Sequence, residues 1–290
     1  QQLHELWSAQ TDSPDLVVDQ GGVVLTADSK TTMVRGDNGE EVWHYDAPEK
    51  LCGVAANWEK TNLFLHGPKG CGQVVALDSS TGEYRHTRDM LASNTVALFQ
   101  SRDSIGMLAP SRTELLRYDL VRTVEVGKKK TSVKPNKQKY MECTFTSALT
   151  RKELLATAQT CPDKDTKLVR LLKTKPEDSD VPEEFHEYEV PAGSELVGIG
   201  LDHAVIYVPG NGTRAKDEKD YKGSRFQILD KQGNFKQIPA DPAPLLDPHK
   251  RQGELFSAQT ADSAHAMSWF DGKRLVAFKP STMEPKFQVE

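Results

Sequence analysis

The stretch Gln73-Val74-Val75-Ala76-Leu77-Asp78-Ser79-Ser80-Thr81-Gly82-Glu83-Tyr84 decides the fold class. It begins with an apolar run rich in residues that favour β-strands. The carboxylate of Asp78 can accept backbone N–H groups a residue or two further on, which closes a turn. Gly82 suits the left-handed backbone conformation that a residue with a Cβ resists. The stretch therefore predicts a strand, a tight turn and a returning strand whose aromatic residue packs on a neighbouring sheet.

The same order of strand, turn and aromatic strand recurs along the chain, which is typical of a repeat protein. Further copies are Thr32–Trp43, Phe226–Phe235 and, more weakly, Leu275–Phe287. Each unit is about four strands long, which is the size of a propeller blade. The residues predicted to build the repeated turn are Asp37, Gly39, Trp43, Asp78, Thr81 and Gly82.

These repeats predict an all-β fold, a single β-propeller domain over residues 1–290 with about seven four-stranded blades. The segment Leu3–Gln10 is left over, and we expect it to form an N-terminal strand that closes the ring and hides a free edge. Because the last unit already has its own outgoing strand, between six and eight blades fit the sequence. The abrupt start at Gln1 favours an ectodomain trimmed at both ends. Six units are visible, near residues 14–46, 51–89, 93–127, 140–191, 194–239 and 253–290.

The composition gives no support for nucleic-acid binding or for a membrane span. The net charge of -5 is mild, so the overall charge gives no argument for nucleic-acid binding. No run of 18 or more apolar residues is present, so the sequence predicts no membrane span. The N-terminal residues also lack the basic and apolar regions of a signal peptide.

The four cysteines fall in two local pairs, Cys52 with Cys71 and Cys143 with Cys161. The absence of a Cys-x-x-Cys spacing disfavours zinc and redox sites. Two disulfides, each crossing neighbouring strands of one sheet, agree with this spacing, and four buried free thiols are the alternative. Since disulfides persist in oxidising compartments, the first reading predicts an extracytoplasmic protein.

The unit Asp78-x-x-Thr81-Gly82 resembles the pyrroloquinoline-quinone-like repeat of bacterial β-propellers, and Asp37-Asn38-Gly39 with Trp43 matches it in part. The segment Arg117–Glu125, together with the cysteine pairs, looks like a family of secreted, membrane-anchored actinobacterial proteins of unknown function. The resemblance implies a propeller in the cell envelope, tethered to the membrane by a segment absent from this chain. It implies no activity.

No catalytic, cofactor or metal site is predicted. Quinoprotein dehydrogenases, which share the repeat, resemble one another in using adjacent cysteines, and this sequence has no such pair. The histidines are scattered without metal-ligand spacing, and the Gly-x-Ser-x-Gly motif of a nucleophilic serine is missing.

A lysine-rich loop is the one charged feature with a predicted partner. It could contact anionic lipid or an anionic wall polymer, each charge contributing about 1 kcal/mol near such a surface. A merely solubilising loop is the alternative. The loop contains Lys128, Lys129, Lys130, Lys134, Lys137 and Lys139.

Two functions follow from these observations. The first is a non-catalytic binding or scaffold module of the cell envelope, which presents a propeller face to a protein or glycan partner. The alternative is an enzyme, or a carrier of a cofactor or ligand, with its site in the central channel.

Overall fold

Antiparallel sheets account for almost all regular structure in the computed structural model, which describes residues 4–128, 137–251 and 255–290. Six four-stranded sheets are present in these ranges, and within each sheet every strand pairs with its neighbour in sequence. The described residues contain one short helix, the 3-10 turn Pro244–Leu246. The all-β prediction is confirmed, with six sheets where about seven were favoured and six to eight were allowed.

The six sheets, which we call blades 1 to 6 in chain order, belong to two compact units. The first unit comprises the chain up to Leu98 together with Tyr118–Val121, and it contains blades 1 and 2. The second unit comprises Phe99–Arg117 and Arg122–Glu290. It contains blades 4 to 6 and most of blade 3.

Blades 1 and 2 share a core of aliphatic side chains. Leu63, Leu65 and Leu77 are completely buried there. Blade 1 consists of β1 (Val17–Asp19), β2 (Gly22–Ala27), β3 (Lys30–Arg35) and β4 (Glu41–Asp46). Blade 2 consists of β5 (Leu51–Asn57), β6 (Lys60–Gly67), β7 (Gly70–Asp78) and β8 (Tyr84–Asp89).

The remaining strands form blades 3 to 6. Blade 3 consists of β9 (Ala97–Gln100), β10 (Ile105–Ala109), β11 (Arg112–Leu116) and β12 (Arg122–Gly127). Blade 4 consists of β13 (Thr144–Arg151), β14 (Leu154–Thr160), β15 (Thr166–Lys173) and β16 (Glu184–Pro191). Blade 5 consists of β17 (Glu195–Ile199), β18 (His203–Val208), β19 (Arg225–Asp230) and β20 (Phe235–Pro239). Blade 6 consists of β21 (Gln259–Asp262), β22 (Met267–Phe270), β23 (Leu275–Phe278) and β24 (Pro285–Val289).

The N-terminal segment differs from the prediction. Leu3 lies outside the described residues, and residues 4–16 form no strand. A strand requires a ladder of backbone hydrogen bonds. Trp7 is held instead through its side chain, because its indole Nε1 donates a hydrogen bond to the carbonyl of Gly36 at 3.0 Å. The predicted N-terminal strand over Leu3–Gln10 is therefore wrong.

Aromatic side chains join blade 5 to blade 6 in the second unit. Tyr207 and Phe226, which pair across β18 and β19, face Trp269 and Phe278 of blade 6. The ring centroids of Phe226 and Phe278 are 5.3 Å apart and nearly perpendicular, an arrangement that aromatic pairs favour. One blade thus covers the apolar face of the blade before it.

Candidate functional site

The turn between β7 and β8 holds an aromatic side chain from blade 1. The Oδ1 atom of Asp78 accepts the backbone N–H groups of Ser80 at 2.9 Å and Thr81 at 3.0 Å. Gly82 follows with a φ of 74°, and the indole of Trp43 packs against it. The Nε1 atom of Trp43 donates to the carbonyl of Ser79 at 2.8 Å. The turn therefore works as a docking site for the outgoing strand of another blade.

The turn between β3 and β4 repeats this arrangement with Trp7. Its indole packs against Gly39, whose φ is 72°. The backbone N–H of Arg35 donates a hydrogen bond to the backbone carbonyl of Glu40. In the same way, the backbone N–H of Asp78 donates to the backbone carbonyl of Glu83. Arg35, and not Asp37, thus occupies the position of Asp78. The carboxylate of Asp37 pairs with the Arg35 guanidinium at 2.7 Å.

A residue with a Cβ costs about 1–2 kcal/mol in a left-handed backbone conformation. Replacing Gly82 by alanine should lower the free energy of unfolding by more than this cost. A Cβ there would lie 2.8 Å from the Trp43 indole, so the ring must move. Gly212→Ala is the matched control, because Gly212 has a φ of 78° and nothing within 4 Å of its Cβ position. Urea unfolding of both variants measures the difference, and equal losses would show that the Trp43 contact contributes nothing.

Asp78→Asn should destabilise the protein at neutral pH and much less in acid. Hydrogen bonds from the Ser80 hydroxyl and then from Arg85 lower the pKa of Asp78 in the folded state. The stabilisation is therefore present above the unfolded pKa of about 4 and is lost as the pH falls below it. We expect a difference of about 1–2 kcal/mol between the variant and the original protein at pH 7. Urea unfolding should show this gap narrowing at pH 3, and a constant gap would contradict the assignment.

Both predicted disulfides are present. Cys143 and Cys161 join the adjacent ends of β13 and β14, with their Cα atoms 4.2 Å apart. Cys52 and Cys71 have their Cα atoms 5.8 Å apart and join β5 to β7. The expectation that each bridge crosses neighbouring strands is wrong for Cys52 and Cys71, since β6 lies between β5 and β7. This bridge forms near the end of β6, where the pairings of β6 with β5 and with β7 both shift register.

The lysine-rich loop is described only in part. Lys129, Lys130 and Lys134 lie outside the described residues. Lys128 and Lys137 are exposed, and the ammonium of Lys139 pairs with Glu184 at 3.0 Å. Contact between this loop and an anionic surface stays a prediction.

A cluster of buried charges, absent from the predicted sites, lies between blades 4 and 5. The carboxylate of Glu195 accepts hydrogen bonds from Lys167 at 2.6 Å and from Arg251 at 2.7 Å through Oε1. Its Oε2 atom accepts those of the Thr146 hydroxyl at 2.9 Å and the Ser147 hydroxyl at 2.5 Å. Glu195 and Lys167 are both buried. Four donors on one carboxylate offset much of the cost of burying its charge.

This cluster forms part of the wall of a cavity of about 590 Å³, which we call the Glu195 pocket. Burial lowers the pKa of Lys167, while the charge of Glu195 opposes that effect. Arg251 is partly exposed and lies over the ring of Phe256, 5.0 Å from its centroid. Further residues around the pocket are Glu142, Thr144, Thr160, Lys164, Asp165, Thr166, Leu246 and Pro248.

An exposed apolar face on blade 6 is the second feature that the sequence did not reveal. Phe270, Leu275 and Val289 form one row across β22, β23 and β24. Phe287 lies two residues before Val289 on β24, so its side chain is on the same face. Phe270 is 42% exposed and Leu275 is 43% exposed.

The equivalent positions in the other five blades are buried. The turn hydrogen bonds and strand registers align Leu275 with residues that are 0–5% exposed: Thr31, Val74, Thr113, Val169 and Phe226. Phe270 aligns with residues that are 0–6% exposed: Thr26, Phe64, Leu108, Ala158 and Tyr207. At these two positions blade 6 therefore exposes side chains that each of the other blades buries.

The described residues contain neither a metal-ligand cluster nor a membrane-spanning helix. Across residues 4–128, 137–251 and 255–290, no group of three or more His, Cys, Asp or Glu side chains could hold a metal ion. In the same ranges no helix has the length and apolar character needed to cross a bilayer.

Comparison with known proteins gives the fold. No protein-family model and no curated protein matches the sequence. Among solved structures, the β-propeller domain of Cps50 (Swd1) from Myceliophteria thermophila is similar with a TM-score of 0.53 and 10% identity, covering 98% of this chain and 88% of that one. Apo AztD from Citrobacter koseri has a TM-score of 0.52 and 11% identity, covering 95% and 71%. Hydrazine synthase from Kuenenia stuttgartiensis has a TM-score of 0.52 and 7% identity, covering 96% and 80%. At such low identity these likenesses concern the fold alone, and the chain has a β-propeller fold.

Proposed function

We propose that this chain is a non-catalytic, extracytoplasmic binding module whose blade 6 docks on a partner protein. The observation that carries the proposal is the exposure of Phe270 and Leu275 at positions that are buried in the other blades. A contiguous apolar patch on a protein surface commonly marks an interaction site. The two disulfides support an oxidising compartment.

The partner is expected to present an apolar β-sheet. In blade 5 the equivalent residues, Tyr207 and Phe226, are covered by Trp269 and Phe278 of a neighbouring sheet. The face of blade 6 has the same strand order and spacing, so a sheet with bulky side chains fits it in the same way.

The surroundings of this face resemble the rim of a protein interface. Lys273 pairs with Glu290 at 2.8 Å, and both side chains are exposed. An apolar centre with a polar, solvated rim is the usual anatomy of such surfaces. Phe270 and Phe287 supply the aromatic residues that commonly anchor binding.

Site-directed photo-crosslinking tests the proposal. A benzophenone amino acid in place of Phe270, in the protein expressed in its native cells, should trap one recurrent partner. The same amino acid in place of Tyr84, an exposed residue of blade 2, is the control and should not trap it. Adding Leu275→Glu should abolish the product at Phe270, and the purified partner should bind the original protein and not this variant. Crosslinks only to a second copy, or a product unaffected by Leu275→Glu, would overturn the proposal.

The finer sequence expectations stay predictions. They are a single domain over residues 1–290, the pyrroloquinoline-quinone-like and actinobacterial resemblances, an envelope glycan as the partner, and a membrane tether.

The Glu195 pocket favours a second function, the carriage of a small ligand.

A further inference from the structure

We infer that blade 1 binds a β-sheet of a partner protein, and that the open edge strand of this sheet pairs with residues 5–10. This inference goes beyond docking by blade 6, since it concerns a different surface, in the first unit. A negative crosslinking result at Phe270 would leave it standing, and the reverse also holds.

Trp7 contacts blade 1 in the way that Trp43 contacts blade 2. The Nε1 atom of Trp7 donates to the carbonyl of Gly36 at 3.0 Å, and that of Trp43 donates to the carbonyl of Ser79 at 2.8 Å. Gly36 and Ser79 are equivalent, because each follows the residue whose backbone N–H closes the turn. Trp43 lies on β4, the outgoing strand of its blade. The residues around Trp7 therefore lie where the outgoing strand of a preceding blade would lie.

Outgoing strands that dock in this way are paired with an inner strand of their own blade. Trp43 lies opposite Met33 of β3. His186 of β16, which packs against the turn of blade 5 in the same way, lies opposite Leu171 of β15. In the part of the chain that the structure describes, no backbone group of residues 4–10 forms a hydrogen bond. Such a free backbone edge accepts an added strand through main-chain hydrogen bonds.

The corresponding face of blade 1 is exposed and apolar. Val18 is 55% exposed, whereas Ala56, which has the equivalent register in blade 2, is 6% exposed. Two residues earlier, Leu16 is 72% exposed and Val54 is 6% exposed. Val54 and Ala56 are buried in the core that blade 2 shares with blade 1. A sheet in the place of a preceding blade would bury Leu16 and Val18 in the same manner.

The position of Trp7 also limits what this sheet can be. Every blade of the described ranges already has four strands. A blade of a second copy would therefore bring its own outgoing strand to the place that Trp7 occupies. Met33 and Leu171, which lie opposite docked outgoing strands, are buried and belong to antiparallel pairs. The partner strand is thus expected to run antiparallel to residues 5–10, with an aliphatic residue opposite Trp7.

Photo-crosslinking in the native cells identifies the partner. A benzophenone amino acid in place of Leu6, an exposed neighbour of Trp7, should trap one recurrent protein. Val18→Glu should abolish this product, and Tyr84→Glu, an exposed position of blade 2, should leave it unchanged. Three results would each overturn the inference: no product above background, a product only within the same chain or with a second copy, and a product that Val18→Glu does not affect.

Two proline variants test strand pairing with the trapped protein after its purification. Successive residues of an outer strand point their N–H groups to opposite sides, and proline removes this group. One of Ser8→Pro and Ala9→Pro should therefore weaken binding at least about tenfold, and the other less than about threefold. Calorimetric titration measures both affinities, and thermal unfolding verifies that both variants and Val18→Glu are folded. Equal affinities of the two proline variants would show that the segment does not pair as a strand.

Discussion

Glu195→Gln is expected to lower the free energy of unfolding by about 3–5 kcal/mol, since it removes one partner of a buried ion cluster. Glutamine keeps the shape of the side chain but not its charge. Lys167 and Arg251 would then face each other in the buried cluster without their shared counter-charge. Urea unfolding monitored by tryptophan fluorescence measures the loss.

Glu189→Gln is the matched control for this substitution. Glu189 also pairs with a lysine, Lys164, but both side chains are exposed. Exposed ion pairs contribute about 0–1 kcal/mol, so the control should unfold almost like the original protein. Similar losses for the two variants would show that the Glu195 cluster does not behave as a buried ion network.

Val74→Glu should prevent folding or cost more than about 4 kcal/mol, whereas Leu275→Glu should change stability by less than about 0.5 kcal/mol. The two residues occupy equivalent positions in blades 2 and 6. Val74 is completely buried, and Leu275 is 43% exposed. The same substitution thus places a charge in a core in one case and in water in the other.

Circular dichroism and thermal unfolding of the purified variants distinguish these outcomes. A folded Leu275→Glu protein is also required for the binding experiments, because it shows that any loss of binding arises at the surface. Severe destabilisation by Leu275→Glu would mean that the face of blade 6 is buried in the isolated protein.

Local chemistry explains why much of the fold could be predicted. The Asp78–Gly82 turn depends on residues close in sequence, so its pattern predicts both the strand reversal and the repeat. The six predicted units coincide with the six observed blades for the same reason. The Asp37 turn was misaligned because Asp37 and Asp78 lie at different distances before their glycines.

The candidate sites depend on long-range geometry. Thr146, Lys167, Glu195 and Arg251 are far apart in sequence, and only the packing of blades 4 and 5 brings them together. One local signal existed: Lys167 and Glu195 each directly precede an apolar run, which places a charge at the end of a buried strand. Leu275 and Val74 look alike in sequence, so their different exposure could not be predicted.

Hydroxyl-radical footprinting of Phe270 tests the central claim most directly, with Phe226 of blade 5 as an internal reference. In the purified protein Phe270 should be oxidised much faster than the buried Phe226. In native envelopes Phe270 should become as protected as Phe226, because the partner sheet covers it. Equal oxidation of Phe270 in both preparations would contradict a docking role for blade 6.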